Sequence, residues 1–543
     1  MVMFVNVRKL VKGTTFLVGL AWLAGAYAEP VFFSEASLEE AVSNALRVDP
    51  SKLTKELMAT RLKVLELNGA KVRDLTGLNH AKNLEVLTLE NNLISNLSPL
   101  SGLPKLRRLD LRGNRLKSMA SLKNLSALTE LDLSQNQLQT LAGVEQLAGL
   151  SSIVVESGGD SYDANDTVVI VGGGGTGATA HLVQFDGVIS AITLASTGAG
   201  YVSAPTITVN SKTGSGATFQ VKLSSLRKLD VSENQLRDLS GVSKLKFLQS
   251  LFAQGNKLGI PESFEDFNDN DAFDPGETFE DLNGNGKWDN DPLPELDQLT
   301  SLMNLYLYGN GLKDLSGLGE LPALRTLLLG VNEISDVSTL QRFSSLIHLS
   351  LNRNQVTDIG KLTDLKSLVY LDLSQNRLSD LRPLRPMTSL RRLLLNDNNL
   401  TDLRPLDGHP NLEHLSLSSN LVSDLRPLAK LQKLKSLDAS RNLIDLKLDW
   451  NARVIEYLAL NKVRTRVVEQ GEMIDGLPQL ALALISDKAS NLKLAAYLEA
   501  NGYQRLGDYH ADTQVPATDK TTHYLNWTKA IHDDEVNKLP KLR

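Results

Sequence analysis

The unit Leu368-Val-Tyr-Leu371-Asp-Leu373-Ser-Gln-Asn376-Arg-Leu378-Ser-Asp-Leu381 recurs every 22 residues, and this recurrence constrains the fold more than any other feature. Units begin at Leu62, Leu84, Leu106, Leu128 and Leu150, again at Leu226 and Leu248, then without a break at Leu302, Leu324, Leu346, Leu368, Leu390, Leu412 and Leu434, fourteen in all. A coil this short cannot bury its own leucine face, so copies must stack into a solenoid whose core is shared between neighbours. Within a unit, Leu371 and Leu373 alternate with Tyr370, Asp372 and Ser374, the period of a strand with its leucines inward. Stacked coils then place these strands in one parallel sheet. An asparagine follows the strand in twelve units, from Asn92 to Asn442, where the chain has to turn. Its amide can pair backbone groups that the turn leaves free, and stacked copies would form a ladder. Leu378, Leu381 and Leu384 line the return path, where a 22-residue coil leaves room for 3₁₀ turns rather than a full helix.

The open ends of such a stack need caps. Residues 29–61 are expected to form a helical N-terminal cap: Ser37 and Glu40 have capping-box spacing, and Leu38, Ala41, Val42, Ala45 and Leu46 follow at helical spacing. Repeats are expected over 62–156, 226–261 and 293–455, with a C-terminal cap and partly helical tail over 456–543, its helices near 489–501 and 524–536. Ahead of the cap, Arg8, Lys9 and Lys12 precede the apolar run Thr14 to Gly25 and the small-x-small site Ala26-Tyr27-Ala28. Residues 1–28 therefore read as a secretory signal peptide, the run falling short of the roughly 20 apolar residues of a membrane span. No later stretch is long enough to span a membrane, so the mature chain is expected to be secreted, periplasmic or held at the cell surface. Cysteine is absent, which excludes disulfides, thiolate metal sites and cysteine nucleophiles.

Two insertions interrupt the period. Residues 157–225 are rich in glycine, threonine and valine. There the strand-like Thr167 to Val171 leads into Gly172-Gly-Gly-Gly175-Thr-Gly177, the G-x-G-x-x-G spacing of a dinucleotide loop. That chemistry needs a following helix and an acid about 20 residues on. Asp186-Gly187 breaks any such helix, and Gly175-Thr-Gly177-Ala-Thr179 returns as Gly214-Ser-Gly216-Ala-Thr218. Alternating strands with glycine turns make a small antiparallel β module the better reading. The second insertion, 262–292, holds a tandem in which oxygen side chains recur at positions 1, 3, 5 and 9 of a tight loop, a spacing that lets them converge on one hard cation. Loop one offers Asp266, Asn268, Asn270, Asp274 and Glu277; loop two offers Asp281, Asn283, Asn285 and Asp289, with Asp291 in place of the carboxylate missing at Pro292. The expected cofactor is Ca²⁺, bound in the roughly 10⁻⁴–10⁻³ M range of extracellular modules. The alternative is an acidic loop that repels itself and stays solvated.

Charge is local. Signal cleavage would take the formal charge from -6 to -9, while residues 262–291 alone carry eleven acids and one lysine. No basic stripe exists to hold nucleic acid. The outward strand positions are more telling: Phe252, Tyr306, Tyr308, Leu328, His348, Tyr370, Arg392, Leu394 and His414 fall at successive rungs and are the candidate ligand-binding residues. The alternative is that insertions or tail cover some of them. The flanking units are polar, with Arg108, Asp110 and Arg112, then Glu130, Asp132 and Ser134. No nucleophile motif occurs, and the eight histidines show no tight ligand spacing.

The pattern L-x-x-L-x-L-x-x-N-x-L/I-x-D-L-x-P-L, clearest at 390–433, together with the cap Phe33…Leu38-Glu39…Ala41-Val42…Leu46, resembles the internalin-like class of bacterial leucine-rich-repeat proteins over about residues 33–455. The resemblance implies an α/β solenoid, a leucine-rich-repeat horseshoe with its parallel sheet on the concave face, and a surface module that binds protein. The Leu-Pro-x-Thr-Gly signal of wall-anchored members is missing from the sequence. The acidic tandem is similar to calcium loops of dockerin-like extracellular modules. The run Gly200-Tyr201-Val-Ser-Ala204-Pro205-Thr-Ile-Thr208 is similar to β modules of phage structural and bacterial surface proteins, which implies attachment or decoration. The expected function is that of an exported, calcium-stabilised and non-enzymatic module binding a protein or cell-surface polymer with its concave face; the alternative is a carbohydrate-active or other hydrolytic enzyme with its chemistry in 456–543.

Overall fold

The computed structural model describes residues 29–468, apart from 123–124, 126, 225, 261, 269, 271–272, 282–292 and 294–295, together with short strands between 473 and 528. The expected signal peptide lies outside the described residues, as does the expected helix near 489–501. Helix α1 (Ala36–Leu46) is the first helix among the described residues and turns Leu38, Val42 and Leu46 onto the first coil. Its N-cap is Glu35, and no side chain closes the helix start. The Ser37–Glu40 capping box is therefore not made. The chain enters the helix two residues earlier, and Glu35 Oε1 accepts the backbone N–H groups of Arg73 and Asp74 at 3.0 and 3.3 Å, tying the cap to the first repeat. A second helix, α2 (Lys55–Arg61), is capped by Thr54 Oγ1, which accepts from Leu57 N at 3.2 Å.

Strands β1 (Val64–Glu66), β2 (Val86–Thr88), β3 (Arg108–Asp110) and β4 (Glu130–Asp132) start a fourteen-stranded sheet. The chain then leaves the solenoid. Strand β5 (Leu150–Asp160) pairs antiparallel with β10 (Ser215–Leu223), β6 (Thr167–Val171) with β9 (Thr206–Asn210), and β7 (Thr176–Phe185) with β8 (Val188–Ala199). This is the antiparallel module expected; the glycines at 172–175 turn into β7 rather than into a helix, which removes the dinucleotide reading. One expectation fails here. The unit at Leu150 is not a rung, because its strand runs on into the module instead of turning at an asparagine. Strand β4 pairs directly with β11 (Lys228–Asp230), Asp132 facing Asp230.

The solenoid continues through β12 (Ser250–Phe252), β13 (Asn304–Tyr306), β14 (Thr326–Leu328), β15 (His348–Ser350), β16 (Tyr370–Asp372), β17 (Arg392–Leu394), β18 (His414–Ser416) and β19 (Ser436–Asp438). Each pairs parallel with the next, leucine opposite leucine, as Leu371 opposite Leu393. The acidic insertion leaves β12 and β13 as direct neighbours. Short 3₁₀ turns such as Arg382–Leu384 and Arg404–Leu406 carry the return path, as the coil length requires. The chain is a leucine-rich-repeat solenoid with its sheet on the concave face.

The buried leucines form one continuous core from the cap to Val463, and the β module has a separate small core around Ile153, Tyr162, Ile189 and Ile192. The asparagine ladder runs along the turn. Asn376 Nδ2 donates to Leu351 O of the preceding coil (2.9 Å) and to Leu373 O of its own (3.0 Å), while its Oδ1 accepts from Val356 N (3.0 Å). Asn398 repeats the pattern one coil on with Leu373, Leu395 and Leu378.

At the far end the sequence misled. The repeats were expected to reach residue 455, but helix α3 (Asp449–Leu460) already caps the stack and lays Asn451, Val454 and Leu458 inward. Asn451 extends the ladder out of period: its Oδ1 accepts from Leu425 N at 3.0 Å. Among the described residues the last rung is β20 (Arg464–Arg466), with Thr465 where earlier units have leucine. Beyond it lie β21 (Met473–Ile474), β22 (Leu477–Pro478), β23 (Leu480–Leu484), β24 (Gln504–His510) and β25 (His523–Thr528). Strand β25 overlaps the helix expected at 524–536; the aromatic and threonine content of Tyr524-Leu-Asn-Trp527-Thr528 suits a strand.

Candidate binding face

Each rung offers three outward side chains, at the third, fifth and seventh places of its unit. Successive rungs lie about 4.8 Å apart, so like places stack into columns. In the middle column Phe252 and Tyr306 stack face to face, centroids 4.3 Å apart and planes 11° apart, with Leu328 next in register. Lys228 Nζ sits 5.3 Å over the Phe252 ring from the neighbouring column. Tyr308 is 43% exposed. It has room because the next rung carries Gly330, where a methyl group would meet Tyr308 Cδ2 at 2.9 Å and Asn352 Oδ1 at 2.1 Å. Gly330→Ala should displace both side chains and lower stability by about 1–2 kcal/mol, measured by chemical denaturation; an unchanged midpoint would mean the pocket relaxes freely.

Further along, His348 packs at 6.1 Å from Tyr370, and Arg392 lies 5.9 Å over the same ring. Leu394 and His414 follow, His414 Nδ1 2.7 Å from Ser436 Oγ. The structure thus sets all nine expected ligand-binding residues on one sheet face. Seven of them form two clusters, Phe252–Tyr306–Tyr308–Leu328 and His348–Tyr370–Arg392, with Leu394 and His414 beyond.

On the N-terminal side the sequence reading named Asp110 and Asp132 as part of a polar flank but missed the column they form. Asp110, Asp132 and Asp230 occupy the middle column at three adjacent rungs, in direct register with one another and then with Phe252. Each accepts the backbone N–H two residues on, from Arg112 (3.1 Å), Ser134 (2.9 Å) and Ser232 (3.0 Å). Burial pushes the Asp110 carboxyl up to about 6, against the pull of the Arg112 N–H, and the charges of Asp132 and Glu90 add to the rise. Burial likewise raises Asp230, with Asp132 adding, although Ser232 and Lys228 pull the other way.

A pH dependence follows. Because the Asp110 folded value lies above its unfolded one, its favourable share of stability is complete below the unfolded pKa and is lost as pH rises through about 6. Asp110→Asn should therefore stabilise the protein by about 1–2 kcal/mol near pH 7.5 and change little near pH 3.5. Equal effects at both pH values in chemical denaturation would contradict the assignment.

Of the expected calcium ligands, Asn283, Asn285, Asp289 and Asp291 lie outside the described residues. Loop one is closed by an antiparallel bridge between Phe264 and Phe279, with Phe273 edge-on to both rings at 5.9 and 5.6 Å. Asp266 Oδ1 accepts from Asn268 N and Asn270 N at 3.2 Å each. Asn268 Nδ2 and Asn270 Nδ2 both reach Asp274 Oδ2, at 2.7 and 2.8 Å. Glu277 takes the N–H groups of Phe267 and Asp274 (2.9 and 2.7 Å). The five side chains share one loop, with the amide nitrogens now turned toward Asp274. Among the described residues no three carboxylate or imidazole groups gather about a single point.

Comparison with known proteins agrees with the repeat. Leucine-rich-repeat models match residues 344–386, 388–430 and 410–450, and a model of the leucine-rich-repeat domain of the endo-β-N-acetylglucosaminidase EndoS matches residues 46–156. Among solved structures, an internalin of Listeria monocytogenes is similar at 25% identity and a TM-score of 0.48, covering 76% of this chain and 98% of that one. Internalin C2 of the same organism has 30% identity over 38% of this chain and 78% of its own, with a TM-score of 0.32. A leucine-rich-repeat protein of Leptospira interrogans has 20% identity over 76% and 85%, with a TM-score of 0.49. No curated protein matches the chain. Among the described residues no helix is long and apolar enough to cross a membrane.

Proposed function

We propose that this is an exported, internalin-like binding protein whose concave face takes a protein or cell-surface polymer, with calcium ordering the acidic insertion. The observation that carries the reading is the accessible aromatic cluster Phe252–Tyr306–Tyr308–Leu328 on a sheet whose inward face is filled by leucine. Rings left at the outward face of a sheet whose inward face is filled by buried leucines are characteristic of a partner site. Export rests on residues 1–28. Calcium rests on the five oxygen-bearing side chains of loop one, which supply three carboxylates and two amides, a donor set suited to a hard cation once the amides turn their oxygens inward. The glycine- and threonine-rich module reads as decoration or attachment.

Capture from an envelope fraction in the presence of calcium tests the proposal, using the wild-type chain beside Phe252→Ser/Tyr306→Ser. The species held by the wild type should be lost from the double variant, while stability falls only by the about 0.5–1.5 kcal/mol of an aromatic pair together with its lost burial. Equal recovery by both chains would remove the concave face as the site.

A further inference from the structure

The charge pattern beside the aromatic cluster specifies the partner more closely. We infer that the concave face binds a protein segment that sets basic side chains over the column Asp110–Asp132–Asp230 and apolar ones over Phe252–Tyr306–Leu328. The inference rests on the binding role proposed above and deepens it.

Three carboxylates in register, one rung apart, repel one another unless a cation lies between them. Among the described residues none of the three forms an ion pair; the nearby cations make their close contacts elsewhere, although the Lys228 charge still acts on Asp230 from a distance. Arg108 meets Glu130 at 3.8 Å, Arg112 Nε reaches Gln135 at 3.3 Å, and Lys228 is drawn over Phe252. The outward positions from β1 to β11 hold Glu66, Glu90, Asp110, Glu130, Asp132 and Asp230 against Arg108, Arg112 and Lys228, so this end of the face is acidic. Asp110 is only 7% exposed, so its charge is poorly served by water. The same outward place carries Ser350 and Ser416 on later rungs, and single aspartates, Asp372 and Asp438, that likewise accept the N–H two residues on; only Asp110, Asp132 and Asp230 put aspartate on consecutive rungs. The column therefore holds unfavourable charge in the free protein that a cationic partner relieves, and such complementarity sets specificity and encounter rate.

The apolar half follows without a gap, since Asp230 pairs in register with Phe252 and Phe252 with Tyr306. Three rungs of carboxylate and three of aromatic or aliphatic surface each span about 10 Å. An extended segment repeats its facing side chains about every 6.6 Å. It would therefore place two basic residues, one position apart, over the acidic half and apolar residues at the next alternate positions.

Selection of a displayed random dodecapeptide library on the full-length wild-type chain tests this, with two variants alongside: Asp110→Asn/Asp132→Asn/Asp230→Asn and Phe252→Ser/Tyr306→Ser. The wild type should enrich peptides with alternating lysine or arginine followed by aromatic or leucine residues. The asparagine variant should lose the basic preference and keep the apolar one. The best wild-type peptide should bind it at least about tenfold more weakly by fluorescence anisotropy, with a reduced salt dependence. The serine variant should enrich neither. Basic enrichment that survives in the asparagine variant, or apolar enrichment in the wild type with no basic preference, overturns the inference while leaving the binding role standing. Equal enrichment on wild type and serine variant overturns both.

Discussion

Asn376→Ala should cost about 2–4 kcal/mol of stability. The side chain is 1% exposed, and its amide donates to two coils while accepting from Val356 N. Truncation leaves buried donors and acceptors in adjacent coils without partners, each costing about 1–3 kcal/mol less whatever relaxation returns. Asn398→Ala should behave alike, since its bonds repeat those of Asn376. Asn79→Ala, at an exposed place off the ladder, should stay within about 0.5 kcal/mol of wild type. Because each coil touches only its neighbours, the damage should appear in hydrogen exchange as a local loss of protection around coils 346–398 before global melting. Protection unchanged in both ladder variants would mean that the leucine core alone holds the stack.

The second large effect expected is on calcium. Saturating calcium should slow amide exchange in residues 262–281 by about tenfold, the effect of a ligand at about ten times its dissociation constant. Asp274 carries both Asn268 and Asn270 amides. A cation should take over that carboxylate and turn the amide oxygens inward, giving Asp266, Asn268, Asn270, Asp274 and Glu277 a common centre. Asp266→Ala/Asp274→Ala should abolish the effect. The rest of the solenoid should be indifferent, because β12 and β13 pair directly beneath the insertion. Equal exchange with and without millimolar calcium would leave an acidic loop held by its own hydrogen bonds and the Phe264–Phe279 bridge.

The repeating part of the fold was legible because its physics is periodic. Leucines two apart and an asparagine after them specify strand, turn and ladder wherever they recur, and the 3₁₀ return path follows from coil length. What was not legible breaks the period. Leu150 matches the unit's first leucine, yet its strand leads away into the β module. Glu35 rather than Ser37 starts α1, because a contact with Arg73 and Asp74, distant in sequence, decides it. Asn451 joins the ladder from a helix and so carries no repeat signal.

The candidate face was half legible. Outward phase identified the aromatic residues and set Phe252 and Tyr306 on successive rungs across the acidic insertion, but their face-to-face packing depends on ring orientation, which carries no repeat signal. The column of aspartates was hidden because Leu150 reads as a further rung: Asp132 and Asp230 become neighbours only when the β module is looped out of the solenoid.

Site-directed photo-crosslinking tests the central claim most directly, because it reads which face meets the partner. Benzoylphenylalanine would replace Tyr308 or Leu328 on the concave sheet, and Lys361 or Arg385 on the return path, in full-length protein incubated with the envelope fraction and calcium. Adducts from Tyr308 and Leu328, and none from Lys361 or Arg385, are the expected result. Adducts from the return-path positions with none from the concave pair would contradict the account.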